Sequence, residues 1–166
     1  MHKPVKILTQ SFLLGLTAIA LFTSLYMQYV AGLEPCALCA MQRACVIALC
    51  CCGLFAFFAR GLWGHAILYA QCVFALFGLY FALRQLWLQS LPAHMEAVCL
   101  PGLELLVRYL PWRDLLKLMF LGSPACNEIL WQAWGFSIAA WSALYFSVVG
   151  SGYIWLLVAS QPVKAK

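Results

Sequence analysis

Acidic side chains are scarce: the chain has five Asp and Glu in 166 residues against ten Lys and Arg, so that only 9% of it is charged. Soluble domains average about 25% charged residues, and a chain that is 66% hydrophobic cannot cover a water-facing surface. The basic excess is equally thin. The formal +5 is scattered beside long apolar runs and forms no basic stripe, which excludes nucleic acid as a partner. Histidine is limited to His2, His65 and His94, all outside the apolar runs, which argues against haem ligation within helices. Internal repeats and low-complexity tracts are missing too.

Apolar length is abundant. A bilayer-spanning helix needs about 20 apolar residues, and four runs qualify, at about 7–30, 40–58, 66–83 and 136–159. The first is too long for the core of a secretory signal, and Tyr26-Met27-Gln28-Tyr29-Val30 offers no small-residue cleavage site. Pro35 before Cys36 likewise argues against lipoprotein processing. The expectation is an all-α membrane protein: a four-transmembrane-helix bundle forming one domain over 1–166, with outer loops at about 31–39 and 90–132.

The second loop carries four of the seven prolines and four of the five acids. Within it, helical spacing puts Trp112, Leu115, Leu116 and Met119 on one face, away from Arg113, Asp114 and Lys117. A short helix is expected there. It either lies in the membrane interface or packs on the protein's own loop.

Four spans put both termini on one side. That side holds Lys3, Lys6, Arg60, Lys164 and Lys166 with no acid, in short segments beside the membrane. The positive-inside rule therefore favours cytoplasmic termini. Cys36, Cys39, Cys99 and Cys126 then share the outer face, where disulfides persist.

Of the nine cysteines, Cys45, Cys50, Cys51, Cys52 and Cys72 fall inside the second and third runs, where buried thiols act as small hydrophobes. The other four suggest two disulfides. Both pairs can be read as staples; bridging Cys99 to Cys126 closes about 28 residues, worth about 3.5 kcal/mol in loop entropy. Cys36-Ala37-Leu38-Cys39 resists that reading, because so small a ring restrains little and suits opening and closing. With nine cysteines such a spacing can arise by chance, so its location matters: it stands where one apolar run has ended and the next begins. Cys39 at a helix N-terminus feels the positive end of the helix dipole, and Arg43 follows one turn later; both favour a thiolate. An arginine at the bilayer edge is either functional or reaching for lipid headgroups. Arg84, at the outer end of the third run, is a second cation. Together they suit an electronegative headgroup such as a quinone's.

At these residues the chain resembles the DsbB family of bacterial inner-membrane proteins. The resemblance rests on four helices, Pro35-Cys36-x-x-Cys39 followed by Arg43, the loop pair Cys99 and Cys126, the segment Cys126-Asn127-Glu128-Ile129-Leu130-Trp131, and Ser160-Gln161-Pro162 near the end. It implies a protein-dithiol:quinone oxidoreductase. Cys99 and Cys126 would accept electrons from a DsbA-like periplasmic thiol oxidase; Cys36 and Cys39 would pass them to ubiquinone or menaquinone, with Arg43 supporting the quinone and the thiolate. Arg84, Gln85 and Trp131 are the further candidates for headgroup contact. Family members can carry a histidine where this chain has Arg84-Gln85. A vitamin K epoxide reductase-like protein shares four helices and the cysteine types, but its loop pair precedes the Cys-x-x-Cys. A disulfide-stapled scaffold is the non-catalytic alternative. A four-cysteine metal site fits poorly, since Cys99 and Cys126 lack the short paired spacing of zinc modules.

Overall fold

The computed structural model describes residues 3–33, 35–59, 61–91, 111–122, 126 and 131–160. In chain order these form α1 (Lys3–Tyr29), α2 (Ala37–Phe58), α3 (Leu62–Gln89), α4 (Trp112–Leu121), β1 (Gln132–Ala133), β2 (Phe136–Ser137) and α5 (Ile138–Ser160). Four helices, α1, α2, α3 and α5, are long and apolar enough to cross a membrane. Their outward faces are apolar as well: Phe12, Phe22, Phe58, Leu83 and Val158 are all more than half exposed, as lipid-facing positions should be.

The bundle is organised around α2 and α3, which pack on each other; α5 lies along α3, and α1 along α2. Leu38, Leu49, Phe81, Phe146, Val149 and Tyr153 form the centre of the core, each no more than 2% exposed. Lipid supplies no hydrophobic drive between helices, so association depends on close packing of small residues. Gly78 does this on α3, where a methyl group would overlap the Phe146 ring of α5.

Helix ends depart from the sequence expectation in ways that matter for function. Helix α2 starts at Ala37, not near 40, with Cys36 as its extended N-cap (φ −68°, ψ 170°). Helix α3 begins at Leu62 because Gly61, at φ 61°, makes the turn directly before it. It also runs on past 83 to Gln89, carrying Arg84 and Gln85 on regular helix. Their polarity reads as an end signal, but both groups find partners within the bundle, so the backbone has no reason to break. Residues 132–137 form an antiparallel hairpin, Gln132 opposite Ser137 and Ala133 opposite Phe136, where loop and then helix are expected. Its two turn residues, Trp134 and Gly135, have φ of 52° and 81°, the left-handed pair that matches strand twist. Ser137 closes the hairpin onto both neighbours: its hydroxyl donates to Gln89 Oε1 at 2.8 Å and accepts the Ala140 N–H at 3.4 Å, capping α5.

The expected short helix is present as α4, and its apolar residues divide. Leu115 and Met119 are half-buried, whereas Trp112 and Leu116 are exposed. The C-terminal end docks on the bundle, with Phe120 on Phe81 (centroids 5.7 Å apart) and the Leu121 carbonyl accepting from Arg84 Nε at 3.2 Å.

Candidate redox site and adjoining cavity

Pro35 and the extended Cys36 deliver the chain into α2, so that Cys39 occupies the third position of the first turn. The two sulfurs lie 3.2 Å apart, with the Cys36 thiol donating to Cys39. Gln85 Nε2, from α3, donates to Cys39 Sγ at 3.2 Å and lies 3.8 Å from Cys36 Sγ. Its amide cannot turn freely, because its Oε1 accepts from Gln42 Nε2 at 2.8 Å. Both glutamines are buried. Gln42, one turn after Cys39, therefore aims the Gln85 donor at the sulfur. A donor held this way strengthens when its acceptor gains charge.

Cys126, 1% exposed, reaches the same place from the second outer segment, within hydrogen-bonding contact of Cys36. That contact, then the one with Cys39, then burial, hold the Cys36 thiol far above the usual thiol range. Cys36 thus stands as a protonated donor between two sulfurs. Cys99 lies outside the described residues. Of the five helix cysteines, Cys45 and Cys72 are buried in the bundle, Cys50 and Cys52 are half-buried, and Cys51 faces outward.

Beside Cys39 opens a cavity of about 530 Å³ between α1, α2, the hairpin and α5. Its walls are largely apolar and aromatic, with Trp131 just before the hairpin, Trp134 in its turn, and Trp141 and Tyr145 from α5. Among the described residues, Arg43 is its one cation. The guanidinium is tied across to α1: Nε donates to Ser24 Oγ at 2.9 Å, Nη2 to the Ser24 carbonyl at 3.0 Å, and Nη1 to Gln28 Oε1. These partners are all neutral. They fix the plane of the group, and no carboxylate pairs with it among the described residues; an arginine near the end of a membrane-spanning helix is a candidate functional position. The cavity and its cation fit a flat, electronegative headgroup with an apolar tail, the shape and polarity of a quinone.

Of the four headgroup candidates, the structure brings Arg43 and Trp131 together on this wall. Arg84 and Gln85 are elsewhere: Arg84 bonds the Leu121 carbonyl and stacks over Trp87 at 4.2 Å, and Gln85 serves the sulfurs. Gln42, Ser24 and Gln28 escaped the sequence reading. The available signal was spacing: Gln42 stands three residues after Cys39, and Ser24 and Gln28 are four apart, so each adds a polar group to one face of an otherwise apolar helix.

The family described as "Disulfide bond formation protein DsbB" matches residues 8–157 of the chain. Among curated relatives named Disulfide bond formation protein B, that of Stutzerimonas stutzeri is 36% identical over 144 residues, covering 86% of this chain and 88% of the relative. The Marinobacter nauticus protein is 39% identical over 137 residues, covering 81% and 79%, and the Hahella chejuensis protein 40% over 136, covering 78% and 79%. No solved structure matches. With a family match spanning nearly the whole chain and relatives of this identity and coverage, the chain belongs to the DsbB family of membrane proteins that form disulfide bonds.

Proposed function

We propose that the protein reoxidises a DsbA-like periplasmic thiol oxidase and passes the electrons through its two cysteine pairs to a membrane quinone. One observation carries this reading: Cys39 belongs both to the sulfur cluster with Cys36 and to the wall of the cavity that holds Arg43. A single residue thus joins thiol exchange to an apolar acceptor site.

The relay starts with Cys99 and Cys126 joined and Cys36 and Cys39 joined. A donor thiolate attacks Cys99, and Cys126 leaves as the thiolate. Cys126 attacks Cys36, the neighbour it touches, forming a Cys36–Cys126 disulfide and releasing Cys39. The donor's second thiol then resolves its mixed disulfide with Cys99 and leaves oxidised, and Cys99 attacks Cys126 and restores the loop pair. Reduced Cys36 and Cys39 now hold the two electrons and the protons that balance them. A bound quinone supplies the two-electron, two-proton acceptor chemistry. Gln85 donates to the Cys39 sulfur, the helix N-terminus favours negative charge there, and Arg43 offers its charge on the acceptor side. The site would sit at the outer face of a bacterial inner membrane, with both termini cytoplasmic.

The test is quinone reduction by purified protein with a reduced thiol oxidase as donor. One quinone should be consumed per donor disulfide formed, and Cys39→Ser should abolish it while leaving the Cys99 mixed disulfide trappable in a Cys126→Ser chain. Donor oxidation that proceeds at the same rate without any quinone would overturn the reading.

A further inference from the structure

A second cavity, about 770 Å³, opens at the end of the bundle opposite the cysteines, where α1 and α3 begin and α2 and α5 finish. Nothing in the relay uses it. Its polar lining comes from α1, from the start of α3 and from Ser160 at the end of α5. Lys6 and Gln10 stand one turn apart on α1; Gly61, Gly64 and His65 form the start of α3.

Three independent features there select a negative charge. Lys6 has no carboxylate within ion-pair distance among the described residues, and none is close in sequence, since all five acids lie between positions 34 and 128 in the cysteine-bearing segments. The first turn of α3 has no side-chain cap, and glycine at 61 and 64 leaves the backbone there bare; a 28-residue helix presents the positive end of its dipole and unpaired N–H groups at that point. Gln10 is only 8% exposed, and its Nε2 is buried with no hydrogen-bond partner among the described residues. A buried amide donor without an acceptor is costly; Gln10 lines the cavity, and a turn of its amide would bring Nε2, which has no exposed surface of its own, to an acceptor there.

The remaining walls identify the carrier of the charge. Ile7, Phe57, Leu68 and Leu156 make the sides of the cavity apolar, and neighbouring helix faces expose Leu62, Phe58 and Val158 to lipid. An anion that brings hydrocarbon with it satisfies both halves of this lining, whereas a free anion satisfies one. We propose that this end of the bundle is a binding site for the phosphate headgroup of an anionic phospholipid, held by Lys6, the Gln10 amide and the first turn of α3. Basic pockets between transmembrane helices are suited to such headgroups. The lipid links α1 to α3 at an end where the two helices have few direct contacts.

The experiment follows thermal unfolding of the purified full chain in detergent by tryptophan fluorescence, with phosphatidylglycerol, phosphatidylcholine or inorganic phosphate added at constant ionic strength. Phosphatidylglycerol should raise the midpoint clearly more than phosphatidylcholine. Lys6→Met and Gln10→Leu should each remove at least half of that selective rise, Lys6→Arg should keep it, and Lys117→Met, at the other end, should not alter it. Gln10→Leu also removes the unpaired donor, so without lipid its midpoint should not fall; the surface change Lys6→Met tests the site even if that core substitution disturbs packing. A rise of the same size with inorganic phosphate alone assigns the site to a free anion and overturns the lipid. Equal effects of the two lipids, or a selective rise untouched by both Lys6→Met and Gln10→Leu, overturn the site. The readout involves no quinone, so it stands or falls apart from the relay.

Discussion

From another helix Cys39 meets the Gln85 amide, and that amide is oriented by Gln42. The dependence runs in one direction, which gives a sharp prediction. Removing one hydrogen bond to a charged sulfur is worth about 1.5 kcal/mol, or roughly tenfold in rate. Gln85→Leu should therefore slow quinone reduction about tenfold, and Gln42→Leu by somewhat less. The double variant should slow the single-turnover step at Cys39 no more than Gln85→Leu, because the Gln42 amide, which also lines the cavity, reaches that sulfur through Gln85. Multiplying effects in single-turnover kinetics would show that Gln42 acts independently. Cys36 differs: its contact with Cys126 is the main reason its thiol is held high. In the reduced protein its alkylation should stay slow through neutral pH and quicken only above the ordinary thiol value of about 8.5, and Cys126→Ala should move that rise to lower pH. The linkage has a definite sign. A raised pKa means that the folded state holds the proton more tightly, so this contribution to stability is complete below about pH 8.5 and declines as the pH climbs. The partners of Arg43 among the described residues are all neutral, so Arg43→Met should raise the quinone concentration needed for half-maximal rate while donor exchange at Cys99 continues, and Arg43→Lys should keep part of the function. Normal quinone affinity in intact Arg43→Met protein would make Arg43 a purely structural bridge to α1.

At the scale of elements, tight approach decides the bundle. Gly78→Ala normally gains up to about 1 kcal/mol in helix propensity, but a methyl there overlaps Phe146, and overpacking costs about 1–3 kcal/mol. The net effect should be destabilising, read as a lower unfolding midpoint in detergent, and Gly78→Ala combined with Phe146→Leu should recover part of it. If Gly78→Ala alone unfolds no earlier than the parent, α3 and α5 are less closely packed than described. The four long helices were legible because each is an unbroken apolar run, and the amphipathic spacing of α4 was legible for the opposite reason. The hairpin was not. Its turn is Trp134-Gly135, and tryptophan in a left-handed conformation is no turn signal; the rings of Phe136 and Trp134 that stack near Trp141 hold it there. That omission hid part of the cavity wall. The end of α3 was hidden similarly, since Arg84 and Gln85 look like a helix terminus until Leu121 and Gln42 are known to receive them.

On the scale of the whole molecule, the long helices set the depth of the chemistry. Twenty-two residues give α2 a length of about 33 Å, close to a hydrocarbon core of about 30 Å, so Cys39 in its first turn lies near one membrane surface. That is where a water-soluble thiol partner and a lipid-soluble acceptor can both arrive, and it explains why the cavity opens beside Cys39 while the loop cysteine comes from above. At the opposite surface α1 begins, α5 ends and α2 connects to α3, and the charged side chains next to these points in the sequence are all basic. The proposed orientation rests on this division, and two exposed positions test it. Lys117 on α4 and Trp63 in the first turn of α3 lie at opposite ends, with the Lys117 side chain 73% and Trp63 76% exposed. In cells whose outer barrier alone has been opened, a membrane-impermeant thiol reagent should label Lys117→Cys beyond the background of the unsubstituted chain. Trp63→Cys should be labelled only after the inner membrane is ruptured. The reverse pattern would place the sulfur cluster in the reducing cytoplasm, where the disulfides on which the relay starts would not persist.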